Sequence, residues 1–188
     1  MITSLPNLLT LSRILVIPAL IAAFYLPSPW SNWIVLALFV GAGVTDWLDG
    51  HLARTRNEVS GLGRFLDPVA DKLLVAATLL MLVHVSRIDD STILPAIIIL
   101  CREIMVSGLR EYLADLRVGL PVSRLAKWKT TVQMVAIGFL IVGEAGWHLI
   151  PVLEIGIVAL WVAALLTLYT GYDYLRLSLR HMTDAPTS

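Results

Sequence analysis

The chain has 188 residues, 57% of them hydrophobic, with a mean hydropathy of +0.80. A soluble domain is typically about 45–50% apolar, so a single core folded in water does not account for this composition. The lone cysteine, Cys101, excludes an intrachain disulfide framework, and a formal net charge of zero shifts attention to where the charges lie.

In chain order, six apolar windows stand out, roughly 7–26, 31–54, 66–86, 91–114, 125–145 and 149–176. Each is near the ~20 residues that cross the hydrocarbon layer. The expectation is an all-α, polytopic membrane protein: one six-helix transmembrane domain over 1–182 and a short polar tail, 183–188. The opening MITSLPNLLTLSRILVIPALIAAFYL carries Arg13 within its apolar run and no clean cleavage site, so it reads as a retained first helix.

Positive charge sets the expected orientation. Arg54, Arg56 and Arg64 follow window two, and Arg102, Arg110, Arg117, Arg124, Lys127 and Lys129 surround the connection from four to five. Arg176 and Arg180 follow window six, whereas the opposite loops hold only Arg87, beside Asp89 and Asp90. Both termini are therefore expected on the cytoplasmic side.

The segment DWLDGHLARTRNEVSGLGRFLDPVAD, residues 46–71, joins windows two and three. Asp46 and Asp49 are three apart and Asp67 and Asp71 four apart, so on helices each pair shares a face. Asp67 is expected as an N-cap, with Pro68 in the first helical turn. NEVSGLG reads as a turn that makes the two helices antiparallel neighbours, with the carboxylate pairs facing each other. One such aspartate is accounted for by solvation, capping or pairing with Arg54 or Arg64. Four are not, because a charge within the bilayer costs on the order of 2.5–3.5 kcal/mol and like charges repel. An all-oxygen set suits Mg²⁺ or Mn²⁺, and four carboxylates are enough for two ions. Two ions suit phosphoryl chemistry. Gly50, Ala53 and Gly63 leave room for a ligand near the backbone.

The spacing Asp-x2-Asp-Gly-x2-Ala-Arg-x8-Gly-x3-Asp-x3-Asp resembles the signature of the CDP-alcohol phosphatidyltransferases. All eight fixed positions are present: Asp46, Asp49, Gly50, Ala53, Arg54, Gly63, Asp67 and Asp71. The resemblance implies that family's six-helix fold and transfer of a phosphatidyl group from a CDP-linked lipid to an alcohol, with release of CMP. It implies that Asp46, Asp49 and Asp67 hold the divalent metals with help from Asp71. It makes Asp71 the candidate general base, and it places Gly50, Ala53, Arg54 and Gly63 around the cytidine and diphosphate.

Three further stretches bear on the acceptor. PNLLTLSRILVIP resembles the opening of the family's glycerophosphate-using branch, and Asn7, Thr10 and Arg13 fall on one helical face, expected against the nucleotide phosphates. The plainer reading is helix capping by Asn7 and Thr10 and an Arg13 that snorkels to the interface. CREIMVSGLREYLA places Arg102 and Arg110 two turns apart on one face, and AKWKTTVQM opens window five with Lys127, Lys129, Thr130 and Gln133. The functional expectation is a basic pocket (Arg102, Arg110, Lys127, Lys129) for an acceptor phosphate; the plainer one is positive-inside decoration. The resemblance thus implies CDP-diacylglycerol and sn-glycerol 3-phosphate as substrates and phosphatidylglycerol phosphate as product. The bacterial inner membrane is the expected location, with membrane lipids as neighbours. A homodimer is in keeping with the family, and no nucleic acid partner is expected. Rival acceptors are inositol phosphate, phosphatidylglycerol and serine. A rival of another class is a divalent-cation transporter, though transport carboxylates usually lie near the midplane, often in paired repeats. Cys101 is expected to be a packed helix residue.

Overall fold

Long apolar runs with few polar interruptions form helices here, and the left-handed residues Ser86 and Gly143 follow two of them. In the computed structural model, α1 (Leu5–Ala23), α2 (Trp30–Arg56), α3 (Gly61–His84), α4 (Ile93–Asp115), α5 (Arg124–Val142) and α6 (Val152–Thr183) follow in order. The structure describes residues 5–56, 61–115, 124–146 and 150–183; the end of the polar tail lies outside them. No strand occurs among the described residues.

Among the described residues, four helices are long and apolar enough to cross a membrane: α2, α4, α5 and α6. The apolar stretch of α1, Leu9–Ala23, is shorter. The first half of α3 carries Asp67, Asp71 and Lys72, which leaves its apolar half short. The protein is an all-helical membrane protein by these measures.

The interior is closely packed by Phe39, Leu74, Leu82, Ile99, Ile137, Leu140 and Leu160, with Ala42, Ala96, Ala136 and Ala163 between them. Small residues let helices approach where lipid gives little hydrophobic drive for association. Leu15, Trp30, Leu80, Ile104, Trp128, Val158 and Leu165 point outward, as lipid contact requires. Cys101 is also exposed, so it is not the packed residue expected from the sequence. It lies on the outer side of α4, one position before the buried Arg102.

Two expectations about the aspartate segment are corrected. α3 begins at Gly61, so Asp67 is not its N-cap and Pro68 lies within the helix rather than in its first turn. Nor do α2 and α3 face each other directly. Both pack extensively on α1, and they meet each other at few places among the described residues. Hydropathy gives the length of a helix and not which neighbour it takes.

α2 and α5 run antiparallel. A Cβ at Gly43 would lie 3.3 Å from Met134 Cε, one at Gly138 would lie 3.7 Å from Leu36, and Asn32 Nδ2 donates to Val142 O at 2.9 Å. The far end of this pair is clasped by Arg87, from the connection after α3. Its Nη1 donates to Leu140 O at 3.0 Å and to Ile141 O, and its Nη2 donates to Asn32 Oδ1 at 2.9 Å. These are last-turn carbonyls of α5 that the helix itself leaves open. Gly143 makes room for the guanidinium: its φ is +49°, and a Cβ there would come within 3.0 Å of Arg87 Cζ. Burial holds the Arg87 guanidinium below its ordinary pKa, with Glu144 acting the other way.

Candidate active site at the aspartate end of the bundle

All six helices bring polar side chains to the end opposite Arg87. α1 supplies Thr10 and Arg13, both almost fully buried. Thr10 Oγ1 donates to Asp67 Oδ1 on α3 at 2.5 Å, and Arg13 Nη1 lies 2.7 Å from Asp46 Oδ1 on α2. One face of α1 therefore bridges the two aspartate pairs. Arg13 is 1% exposed, so it does not snorkel. A buried guanidinium needs a partner, and the half-exposed Asp46 is one.

Asp46, Asp71 and Arg13 line one end of a cleft of about 1120 Å³ between α2 and α5. The cleft then runs past Val40, Leu36 and Trp33 on one side and Met134, Gly138 and Val142 on the other. Trp33 and Asp46 are thirteen residues apart, about 20 Å along a helix. The cleft is thus charged at one end and apolar along its length. Asp67 lies one turn from Asp71 on α3 and is turned to Thr10.

Asp49, Gly50, Ala53 and Arg54 lie on the final turns of α2, and Asn7 lies in the first turn of α1. Their side chains fall outside the described residues, as do those of Arg56, His51 and Arg64. Gly63 is buried near the start of α3. Among the described residues no three carboxylates, imidazoles or thiolates come close enough to share an ion. The donors that do converge on the cleft, Asp46 and Asp71, are carboxylates, and Asp49 sits one turn beyond Asp46 on the same helix. This hard-oxygen chemistry fits a divalent ion such as Mg²⁺ or Mn²⁺ and does not fit a soft metal.

The four expected acceptor-phosphate residues divide. Arg102 and Arg110 meet on Tyr174 of α6, their guanidinium carbons 5.7 and 4.9 Å from its ring centroid. Arg102 Nη2 donates to Thr170 Oγ1 at 3.0 Å, and Arg110 Nη2 donates to Tyr174 Oη at 2.6 Å. Lys129, 3% exposed, donates to Glu103 of α4, so its charge is already balanced. Lys127 is exposed. Sequence reasoning missed the α6 seat formed by Thr170, Gly171 and Tyr174. Its signal was present in TGYDY, a polar and aromatic cluster ending an apolar window. Gly171 is part of the seat because a Cβ there would lie 3.0 Å from Arg102 Cγ.

These features define a class: a polytopic α-helical membrane protein with an acidic, arginine-flanked cleft open along its apolar length. The chain matches the CDP-alcohol phosphatidyltransferase family over residues 3–169 and belongs to that family. It is 46% identical over 173 residues to a protein of Rickettsia bellii, covering 92% of this chain and 94% of the relative. It is 43% identical to one of Haemophilus influenzae, covering 96% of each chain. It is 38% identical to one of Cereibacter sphaeroides, covering 96% of this chain and 98% of the relative. All three relatives are named CDP-diacylglycerol–glycerol-3-phosphate 3-phosphatidyltransferase.

Proposed function

We propose that this protein transfers the phosphatidyl group of CDP-diacylglycerol to sn-glycerol 3-phosphate, giving phosphatidylglycerol phosphate and CMP. The observation that carries this reading is the two-character cleft, with Arg13, Asp46 and Asp71 at one end and an apolar channel along α2 and α5. With divalent ions on its carboxylates, that shape would fit an amphiphile with an anionic head and hydrocarbon tails. The names of the relatives support the acceptor.

In this reading the lipid's acyl chains lie along α2 and α5, and its diphosphate meets the aspartate end. Asp46, Asp49, Asp67 and Asp71 would hold the Mg²⁺ or Mn²⁺, two ions being the expected number. Bound ions would supply positive charge to the diphosphate and the leaving CMP. Thr10 orients Asp67, as outer partners of metal ligands commonly do. Arg13, with Asn7 and Thr10 on the same helix, faces the nucleotide phosphates, and Gly50, Ala53, Arg54 and Gly63 line the cytidine and diphosphate site. Arg102 and Arg110 draw in the acceptor phosphate and are suited to fork-like contact with it, whereas Lys129 is paired with Glu103 and Lys127 is exposed. Asp71 takes the proton of the attacking primary hydroxyl. The hydroxyl oxygen bonds to the lipid-side phosphorus as the bond to CMP breaks. The aspartate end faces the cytoplasm of a bacterial inner membrane, with six helices spanning it, on the strength of the Lys/Arg asymmetry of the loops.

The test is acceptor choice. Detergent-purified protein is given CDP-diacylglycerol, Mg²⁺ and one acceptor at a time: glycerol 3-phosphate, inositol phosphate, serine or phosphatidylglycerol. Formation of phosphatidylglycerol phosphate from the first acceptor alone is expected. Turnover with another acceptor instead would remove the acceptor assignment.

A further inference from the structure

A second, smaller cavity of about 160 Å³ adjoins the large cleft. Asp71, Thr130 and Met134 line both, so they form the shared wall. Behind that wall the small cavity is lined by Glu103 of α4 and Gln133 of α5, with Val75 and Leu100 beside them. Its volume is that of roughly five waters in the liquid, enough for the carbon chain of a small polyol.

Gln133 is the unexplained member of this wall. It is 2% exposed, and its Oε1 has no hydrogen-bond partner among the described residues. Glu103 is committed to Lys129 one helical turn away on α5. A buried amide oxygen without a partner is costly, on the order of 1–3 kcal/mol, and such groups call for an explanation. A ligand that brings a donor into the cavity supplies one. Asp71, proposed above to face the attacking hydroxyl, lies on the same cavity.

We infer that Gln133 is a specificity-determining residue: its side-chain oxygen accepts a hydrogen bond from the non-reacting hydroxyl of the polyol acceptor, seated in the small cavity beside Asp71. This rests on the proposed function and adds to it a residue that reads the acceptor's second hydroxyl. A site built to bond a substrate hydroxyl rejects the analogue that lacks it, because its own buried group is then left unpaired.

The experiment compares two acceptors, sn-glycerol 3-phosphate and propane-1,3-diol monophosphate. The second keeps the phosphate and the primary hydroxyl and lacks the secondary hydroxyl. Wild-type protein and Gln133→Met are assayed for kcat/KM with each. Methionine keeps the unbranched shape and removes the oxygen, and if this variant fails to accumulate, Gln133→Leu carries the same test. Wild type should prefer glycerol 3-phosphate strongly, and Gln133→Met should shrink that preference by roughly tenfold or more, with the KM for CDP-diacylglycerol unchanged. Undiminished preference in the variant would overturn the inference and leave the proposed function standing. So would a wild type that uses both acceptors equally. A wild type active only with an acceptor of another class would overturn both, and the two failures are thereby distinct.

Discussion

Arg13 of α1 and Asp46 of α2 form an ion pair of 2.7 Å in which the cation is buried and the carboxylate is 49% exposed. The asymmetry is informative. The guanidinium is held in place by packing, while Asp46 keeps an open side toward the cleft. A structural pair with no further role would have no need of an open carboxylate at the charged end of a lipid-sized channel.

Replacing Arg13 by Gln should therefore affect the lipid substrate more than the acceptor. We predict that the KM for CDP-diacylglycerol rises roughly ten- to hundredfold, the worth of a charge-assisted hydrogen bond. The KM for glycerol 3-phosphate should stay within about twofold, since Arg102 and Arg110 lie on another helix, α4. Steady-state kinetics with each substrate varied in turn decides this; an equal rise in both would remove Arg13 from the lipid head.

Thr10→Val keeps the shape of the side chain and removes the donor to Asp67. Loss of an outer partner of a metal ligand typically weakens metal binding about 10–100-fold. The expected result is a rightward shift of that order in the Mn²⁺ dependence of CMP release, while Thr10→Ser stays near wild type. An unshifted metal curve would mean that the Thr10–Asp67 bond only packs α1 against α3.

Much of this site was legible in the sequence, and the reasons differ by residue. The six helices could be read because long apolar windows leave few alternatives, although among the described residues only α2, α4, α5 and α6 are long and apolar enough to cross a membrane. Helical spacing placed Asp46 with Asp49 and Asp67 with Asp71, but the meeting of Asp46 and Asp71 at one cleft could not be read from it, because they lie on different helices. The position of α1 between α2 and α3 could not be read, because lateral order depends on which small residues meet. The run of α3 through Pro68 was missed because proline usually marks a helix start. The α6 seat for Arg102 and Arg110 was missed because Thr170, Gly171 and Tyr174 come from a distant part of the chain.

That seat yields a second kinetic prediction. A Cβ at Gly171 would come 3.0 Å from Arg102 Cγ, and the side chain must shift to admit it. Gly171→Ala should raise the KM for glycerol 3-phosphate several-fold, about 3–10-fold for one weakened contact to an ionised group. The KM for CDP-diacylglycerol should not move. A fall in kcat alone, with both KM values unchanged, would contradict the placement of Arg102 at the acceptor phosphate.

At the opposite end, Arg87 serves stability. Arg87→Met leaves the carbonyls of Leu140 and Ile141 without their side-chain donor. The cost should be about 1–3 kcal/mol, seen as a lowered unfolding midpoint in detergent. Arg87→Lys should restore only part of it, because an ammonium lacks the planar fork that also reaches Asn32. Folded Arg87→Met should turn over at the wild-type rate; a large loss of kcat would contradict a purely structural clasp.

The aspartate end is proposed to perform metal-dependent phosphatidyl transfer with Asp71 as the proton acceptor. The most direct test is CMP release by purified protein given CDP-diacylglycerol and glycerol 3-phosphate, with and without Mn²⁺, beside Asp71→Asn and Asp46→Asn. Wild type should release CMP only with the metal, and Asp71→Asn should lose at least about a hundredfold, the usual worth of a general base. Folded wild type that releases no CMP under any of these conditions, or Asp71→Asn that keeps full activity, would contradict that role for the aspartate end.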